Sequence, residues 1–507
     1  MAAAALMPSE DMLEIAERML AISPADATEI VWIEARRGQA GGGAAGSAGP
    51  AGFAGSAGSA GSGDPGGHRR PRRELSREPH DPALRRDRSV LVRIRESGRT
   101  GMHCTGGDEL SDLEIAVREA LAQARLAPAS SAEPMATPLA SSTAAELAPQ
   151  AAARADRLPE HAEPLPAELF DPELAEMTPE AGRAAAERLA RGEDRGARAD
   201  ERVRLGWAAG TVVIANSAGL RRAARVTAVT LEAACGSGPR GGRAAAVARR
   251  LDALDAPLVM ERARRETPES PELMAGVMEG PVALVLAQEG AAVLLEMLNR
   301  LALSAKSFLD GTSLLRDNLG DQVFHSAINL RDDASDPRGL PFAFDLAGWS
   351  KRPVDLISRG VVLTPAVDSR LAGEIGRPAT PHRIAADDSL ASNLFLLPGE
   401  RPDEELLREA AGGVWAGALD PIECFDPRAL RFRAVLRGVR RIDRAGSGAL
   451  GAALPDLVWE DSVPSALSRV LGVGREPVAV ACGDPLFGAL TTPILALERA
   501  EHLRPRT

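Results

Sequence analysis

The stretch Pro281–Leu303, PVALVLAQEGAAVLLEMLNRLAL, decides how the rest of the chain is read. Val282, Leu284 and Leu286 fall on one face of a continuous apolar run, the pattern of a buried strand. Gln288, Glu289 and Gly290 mark the passage into a helix whose Val293, Leu294, Met297, Leu298 and Leu301 follow helical spacing. Glu296 and Arg300 stand at i and i+4 on that helix and read as a surface ion pair contributing roughly 0.2–0.5 kcal/mol.

Downstream of this stretch the segments DLISRGVVLTPAVDSRLAGEIG, SNLFLLPGE, LRFRAVLRGVRRID and PVAVACGD are punctuated by Pro and Gly at short intervals. That spacing favours antiparallel meanders over crossover units, so 281–507 reads as a largely antiparallel β domain with one principal helix. Upstream, 128–280 reads as a linker and a middle α+β domain. Its expected parts are a helix over Thr178–Arg191, strands Gly210–Ala215 and Arg225–Cys235, and a helix over Arg243–Leu254. Asn216 and Gly219 between the two strands suit a tight turn, because both tolerate positive φ. The segment Gly236–Gly241, GSGPRG, formally matches a dinucleotide-binding glycine pattern. The strand before it alternates like an antiparallel one and no βαβαβ pattern surrounds it, so a loop is favoured.

Residues 1–127 read as an N-terminal α/β domain. A helix over Ser9–Leu20 with Ser9 as N-cap leads to a strand over Ala27–Ala35, whose partner is Ser89–Glu96. A helix over Ser111–Leu126, capped by Ser111, carries Leu113, Ala116, Val117, Ala120, Leu121 and Ala124 as one stripe and closes a helix, strand, strand, helix unit. Between the strands, about residues 38–88, an Ala/Gly/Ser tract passes into HRRPRRELSREPHDPALRRDR. Such a composition cannot bury enough apolar surface to offset ordering entropy and reads as a disordered insert. Acids interleave the arginines of this last stretch, and it has no Phe, Trp or Tyr for base stacking, which disfavours a nucleic-acid tether. Ala127–Glu163 is rich in Ala, Pro and Ser and reads as a linker. The fold class is thus α+β.

With 507 residues, 45% hydrophobic, the chain has the means to bury a sizeable core. Its net charge of −11 disfavours a nucleic-acid footprint, and no apolar run is long enough to span a membrane. The opening residues lack a basic region before their apolar stretch, so a cytoplasmic location is expected. Cys104, Cys235, Cys424 and Cys482 are isolated from one another, which supports neither disulfides nor a thiolate metal site. Lys306 and Lys351 are the only lysines; arginine supplies the remaining positive charge, a pattern of coding bias.

Candidate chemistry is sparse. His68, His80, His103, His161, His325, His382 and His502 are scattered, and His103 next to Cys104 on a strand would point to the opposite face. There is no GxSxG elbow. Asp332, Asp333, Asp336 and Asp345 cluster in sequence without the spacing of a calcium loop and read as turn and loop acids. Cys482, in AVACGDPLF, reads as a buried, inert thiol on a strand.

Several blocks together resemble the TldD/PmbA (TldD/TldE) family, also called modulators of DNA gyrase. They are PVALVLAQEGAAVLLEML, FLDGTSLLRDNLGDQVF with INLRDD, LPFAFDLAGWSKRPVDLISRGVV and SNLFLLPGE, preceded by GRTGMHCTGGDELSDLEIAVREALAQA and VVIANSAGL. The resemblance covers nearly the whole chain apart from the insert. In the catalytic branch the helix carries an HExxxH zinc motif, with a cysteine near the C-terminal end as a further ligand. The resemblance places Glu296, Met297 and Leu301 at the three motif positions here. Zinc needs three protein donors and an open fourth position, and of these residues Glu296 alone is able to ligate. The resemblance also marks Asn216, Gly219, Gly320, Asp345, Gly348, Gly360, Asn393, Pro398 and Gly399 as family-motif positions with structural roles.

The resemblance therefore implies the PmbA/TldE branch: no catalytic or metal residues in this chain, and zinc only in a TldD-like partner. The implied assembly is a heterodimer that cleaves unfolded peptide, this chain holding the peptide as an added strand. The alternatives are a stand-alone binding protein of the same fold, which includes a homodimer, and an active hydrolase with a non-standard site.

Overall fold

The computed structural model describes residues 6–43, 84–107, 109–128, 169–191, 200–236, 241–267, 280–368, 372, 376–384 and 388–506. Most of the expected insert and linker, and most of GSGPRG, lie outside the described residues.

The N-terminal and middle segments build one antiparallel sheet. Helix α1 (Ser9–Ile22) starts after Pro8, so Ser9 is its first residue and not its cap. Strand β1 (Ala27–Gly43) runs past the expected end at Ala35, because both of its edges are paired. One edge takes β2 (Leu84–Glu96), with Ile30 opposite Val92; the other takes β4 (Arg202–Asn216), with Ile30 opposite Ala215. Two ladders of backbone hydrogen bonds overcome the low strand preference of GQAGGG. With β3 (Arg99–Thr105), β5 (Arg221–Cys235) and β6 (Gly242–Ala248) the order is β3-β2-β1-β4-β5-β6. Helix α2 (Leu110–Leu126) has Glu109 as its N-cap position rather than Ser111, and its buried residues are the six of the expected stripe.

After α3 (Pro172–Glu176) and α4 (Pro179–Arg191), the largest departure from the sequence reading is at Arg243–Leu254. Residues 242–248 form β6 instead of a helix, and Leu251–Ala253 make a short 3-10 turn. GRAAAVA is ambiguous by pattern, and the edge of β5 resolves it, pairing Val229 with Ala248 and Ala233 with Ala244. The helix comes later, as α5 (Ala256–Glu266), where the Asp255 carboxylate accepts from the Leu258 amide at 3.0 Å and Pro257 occupies the first turn.

The C-terminal part follows the expected α+β pattern. Strand β7 (Val282–Leu286) is buried on both faces and sits inside a six-stranded sheet. That sheet also contains β12 (Val414–Ala416), β15 (Arg440–Ile442), β16 (Leu450–Ala453), β18 (Val470–Val473) and β21 (Leu495–Ala500). A second sheet runs β10-β9-β8-β11-β20-β19, from Val361–Val362, Val354–Ser358, Leu330–Asp332, Asn393–Leu396 and Ala489–Thr492 to Val478–Val480. A four-stranded sheet joins β13 (Ala418–Asp426), β14 (Arg431–Arg437), β17 (Leu457–Ser462) and β22 (Leu503–Pro505). Two of the pairs, β7 with β12 and β11 with β20, are parallel. Helix α6 (Gln288–Leu298) packs against β13 and β20, with Leu294, Leu295 and Leu298 in the core, and passes into a wider π turn at Asn299–Leu303. Among the described residues no helix is long and apolar enough to cross a membrane.

Arg249, just past β6, fastens the first sheet to the C-terminal part. Its buried guanidinium donates to the Thr227 carbonyl (3.0 Å) on β5 and to those of Leu340 (3.1 Å), Pro341 (2.8 Å), Pro485 (3.3 Å) and Leu486 (3.1 Å). Burial pushes its pKa down to about 9, with Asp484 acting in the opposite direction. Arg249→Met fits the same stem but leaves those carbonyls unsatisfied. We expect it to lower the free energy of unfolding in urea by more than about 2 kcal/mol; a loss below about 0.5 kcal/mol would contradict this role.

Candidate functional site

The turn at the end of α6 closes one side of a cavity of about 250 Å³. The segment around Phe342–Lys351, residues Leu390–Ser392 and the loop from Cys482 through β20 supply the other walls. Helix geometry sends Glu296 into this cavity while Met297, only 8% exposed, turns to the core and Leu301 packs against the same core. Glu296 Oε1 lies 2.6 Å from Arg300 Nε, and Asn299 Nδ2 donates to Glu296 Oε2 (3.2 Å) and to the Ala391 carbonyl (2.9 Å). The pair expected on the surface is therefore a cavity feature, with the Glu296 side chain only 19% exposed. Burial pushes the Glu296 carboxyl above its usual range, and Arg300 and Asn299 act against that shift.

Cys482 lies in the loop after β19, not on a strand as expected. It is half-buried, and burial, followed by the charge of Glu296, pushes its thiol well above the usual value. The fold thus brings the Glu296 position and Cys482 to one cavity, although they are far apart in sequence. These residues do not fit a zinc site. Glu296 is occupied by a guanidinium, a thiol pushed upward resists becoming the thiolate that zinc binds, and Met297 and Leu301 offer no donor directed at the cavity. Among the described residues no group of three His, Cys, Asp or Glu side chains is arranged to hold a metal.

Behind the cavity is a charged cluster that sequence reading missed. Asp332, at the end of β8, is 1% exposed. Its Oδ2 lies 3.3 Å from Lys351 Nζ and 3.0 Å from His382 Nε2, and its Oδ1 accepts from the amides of Ser392 (3.0 Å) and Asn393 (2.7 Å). Burial alone would raise this carboxyl; Lys351, His382 and the Asn393 amide outweigh it and hold it far below the usual range. Burial pushes the His382 imidazole down, and its Nδ1 lies 2.6 Å from Thr380 Oγ1. Lys351 Nζ also contacts Ser392 Oγ. The loop-acid reading holds for Asp333 and Asp336, which accept from the Ser335 amide (3.0 Å) and the Arg338 amide (2.9 Å), and fails for Asp332. One available signal was Lys351 itself, a lysine in a chain that otherwise uses arginine.

The family-motif positions fall at junctions. Asn216 Oδ1 accepts from the Ala218 (3.0 Å) and Leu220 (3.1 Å) amides, so Asn216 shapes its turn by side-chain bonding while Gly219 alone takes the positive φ, +94°. Against that turn rests Gly348, where a Cβ would fall 2.3 Å from Leu220 Cδ2. Asp345 folds the same loop, accepting from the amides of Ala347 (2.9 Å), Trp349 (3.0 Å) and Arg383 (3.1 Å). Asn393 ties β11 to two loops through the Leu340 amide (2.7 Å) and the Asp333 carbonyl (2.6 Å). Gly360 (φ +77°) passes so close to the Phe324 carbonyl that a Cβ would sit 2.1 Å from it. The Gly320 amide donates to Val362 (2.8 Å) and that of Gly399 to Gly474 (2.9 Å), and Pro398 is exposed.

This architecture has relatives. Residues 279–502 match the family profile described as the PmbA/TldA metallopeptidase C-terminal domain. Over this span the chain carries a TldD/PmbA-family domain. Its fold is that of a Thermotoga maritima structure described as a candidate modulator of a DNA gyrase (TM-score 0.71, 17% identity, covering 97% of this chain and 100% of that one). It is equally that of TldE from Thermococcus kodakarensis (TM-score 0.69, 18% identity, 97% and 99% covered). A candidate DNA gyrase modulator from Bacteroides thetaiotaomicron is similar as well (TM-score 0.69, 15% identity, 99% and 100% covered). No curated protein matches the sequence.

Burial pushes the Asp345 carboxyl up to about 7, against the pull of its three backbone amides. A carboxyl raised in the folded state contributes stability below its unfolded pKa, and that contribution is lost as pH rises through the folded value. The native chain should therefore lose stability between about pH 4 and about pH 7 more steeply than Asp345→Asn does, as measured by urea unfolding across that range. Parallel profiles would show that Asp345 is not the group responsible.

Proposed function

We propose that this chain is the zinc-free, peptide-holding subunit of a TldD/PmbA-type peptidase pair, acting in the cytoplasm with a zinc-bearing TldD-like subunit on unfolded peptide. The observation that carries this reading is the Glu296–Arg300 pair at the end of α6. Where the family resemblance expects a metal-binding helix, this helix presents an ion pair to a cavity and buries Met297. The likeness to a fold neighbour described as TldE favours the same branch.

A site that cannot assemble a metal-bound water still binds and orients, and orientation is a contribution to catalysis by a partner. Strand β19 is the candidate for peptide capture by strand addition: it ends its sheet, with Ala479 packed on Val247 of β6, and the chain leaving it leads through Ala481 to Cys482 at the cavity. Backbone bonding along such an edge tolerates many sequences, as an unfolded-peptide site requires.

The test is co-expression with a TldD-like companion, followed by affinity purification and incubation with an unfolded protein such as β-casein. The chain should co-purify with the companion, leave casein intact when alone, and support cleavage in the pair even when it carries Cys482→Ser. Cleavage by the lone chain that disappears with Glu296→Gln would overturn this reading in favour of an active hydrolase.

A further inference from the structure

We propose that the cavity under α6 is a subsite for the C-terminal carboxylate of a peptide that ends in an apolar residue, with Lys351 and Ser392 as its donors. This rests on the peptide-holding reading above and narrows it to one end of the peptide.

Lys351 lines the cavity yet is only 6% exposed. Its ammonium has three N–H groups. One is directed to Asp332 Oδ2 at 3.3 Å and one to Ser392 Oγ, which leaves one without a protein acceptor among the described residues. Ser392 Oγ receives the lysine proton, so its own O–H is available to donate. Two adjacent donors, one of them charged, match the two oxygens of a carboxylate. An ammonium paired with Asp332 donates and does not act as a base, so the contact with Ser392 serves binding rather than attack by the serine. The lysine ammonium between Asp332 and Ser392 is a compact point charge, in a chain whose cations are otherwise almost all arginine.

The acids in the wall do not oppose an anion freely, because each is already engaged. Glu296 is paired with Arg300 at 2.6 Å, Asp484 with Arg37 at 2.5 Å, and Asp345 is turned into its own loop. The Arg383 guanidinium adds a cation to the wall. Phe342, Phe344, Leu390, Leu394 and Phe487 supply the apolar surface for a terminal side chain. A cavity of about 250 Å³ lies just below the range that holds drug-sized molecules, and so suits one terminal residue rather than a longer segment.

The experiment is calorimetric titration of the isolated full-length chain with N-acetyl-Ala-Ala-Leu as the free acid and as the C-terminal amide. The acid should bind about tenfold more tightly, the difference between a charge-assisted and a neutral hydrogen bond. Ser392→Ala and Lys351→Met should each reduce that preference to less than about threefold. Because Lys351→Met strands the Asp332 charge and can unfold the chain, Ser392→Ala is the decisive variant. Equal affinity for acid and amide would overturn the carboxylate subsite while leaving peptide holding intact, and absence of binding by either would overturn both. A preference for the acid that survives in Ser392→Ala would place the carboxylate elsewhere and also overturn the assignment.

Discussion

The buried carboxylate of Asp332 is the constraint on which the site depends. Four groups from three separate segments converge on it: Lys351, the His382 imidazole, and the amides of Ser392 and Asn393. A carboxylate this deep is tolerable only when its charge is compensated and its lone pairs are filled, so the segments that supply those groups are held in place by the cost of leaving it bare. Removing one partner of such a cluster typically costs about 3–5 kcal/mol. Lys351 and Ser392 of this cluster also line the cavity, which links the stability of the β8–β11 region to their placement.

Around that anchor the molecule is joined by groups that cross between sheets. Arg249 links β5 to the loops at Leu340–Pro341 and Pro485–Leu486. Glu29 of β1 lies 3.2 Å from Arg93 and 3.9 Å from Arg383, both buried, so the first sheet reaches the cavity wall directly. Burial, reinforced by Arg93, pushes the Arg383 pKa down to about 10. Arg37 joins Asp87 on β2 to Asp484 beside Cys482. The cavity is therefore placed by both parts of the chain, although its lining comes from the C-terminal part alone.

How much of this was legible depended on whether the deciding partner was near in sequence. The α2 stripe and the passage from β7 into α6 could be read because periodicity is local. The length of β1 and the identity of β6 could not, because GQAGGG and GRAAAVA take their conformation from β4 and β5 rather than from their own preferences. At α5 the local signals, Asp255 and Pro257, were present and outweighed by the run of alanines before them. The Glu296–Arg300 pair was legible from its i, i+4 spacing; its place at a cavity was not, since that is set by the loop at Cys482. Asp332 was hidden for the same reason, its partners lying on segments that only the fold brings together.

We propose that the end of α6 serves peptide holding rather than metal binding. Zinc titration of the purified chain alone, followed by dialysis and metal analysis, tests it most directly. No stoichiometric zinc is expected at neutral pH, and Cys482→Ser should not change this result. One tightly held equivalent, lost on replacement of Cys482 or Glu296, would contradict it.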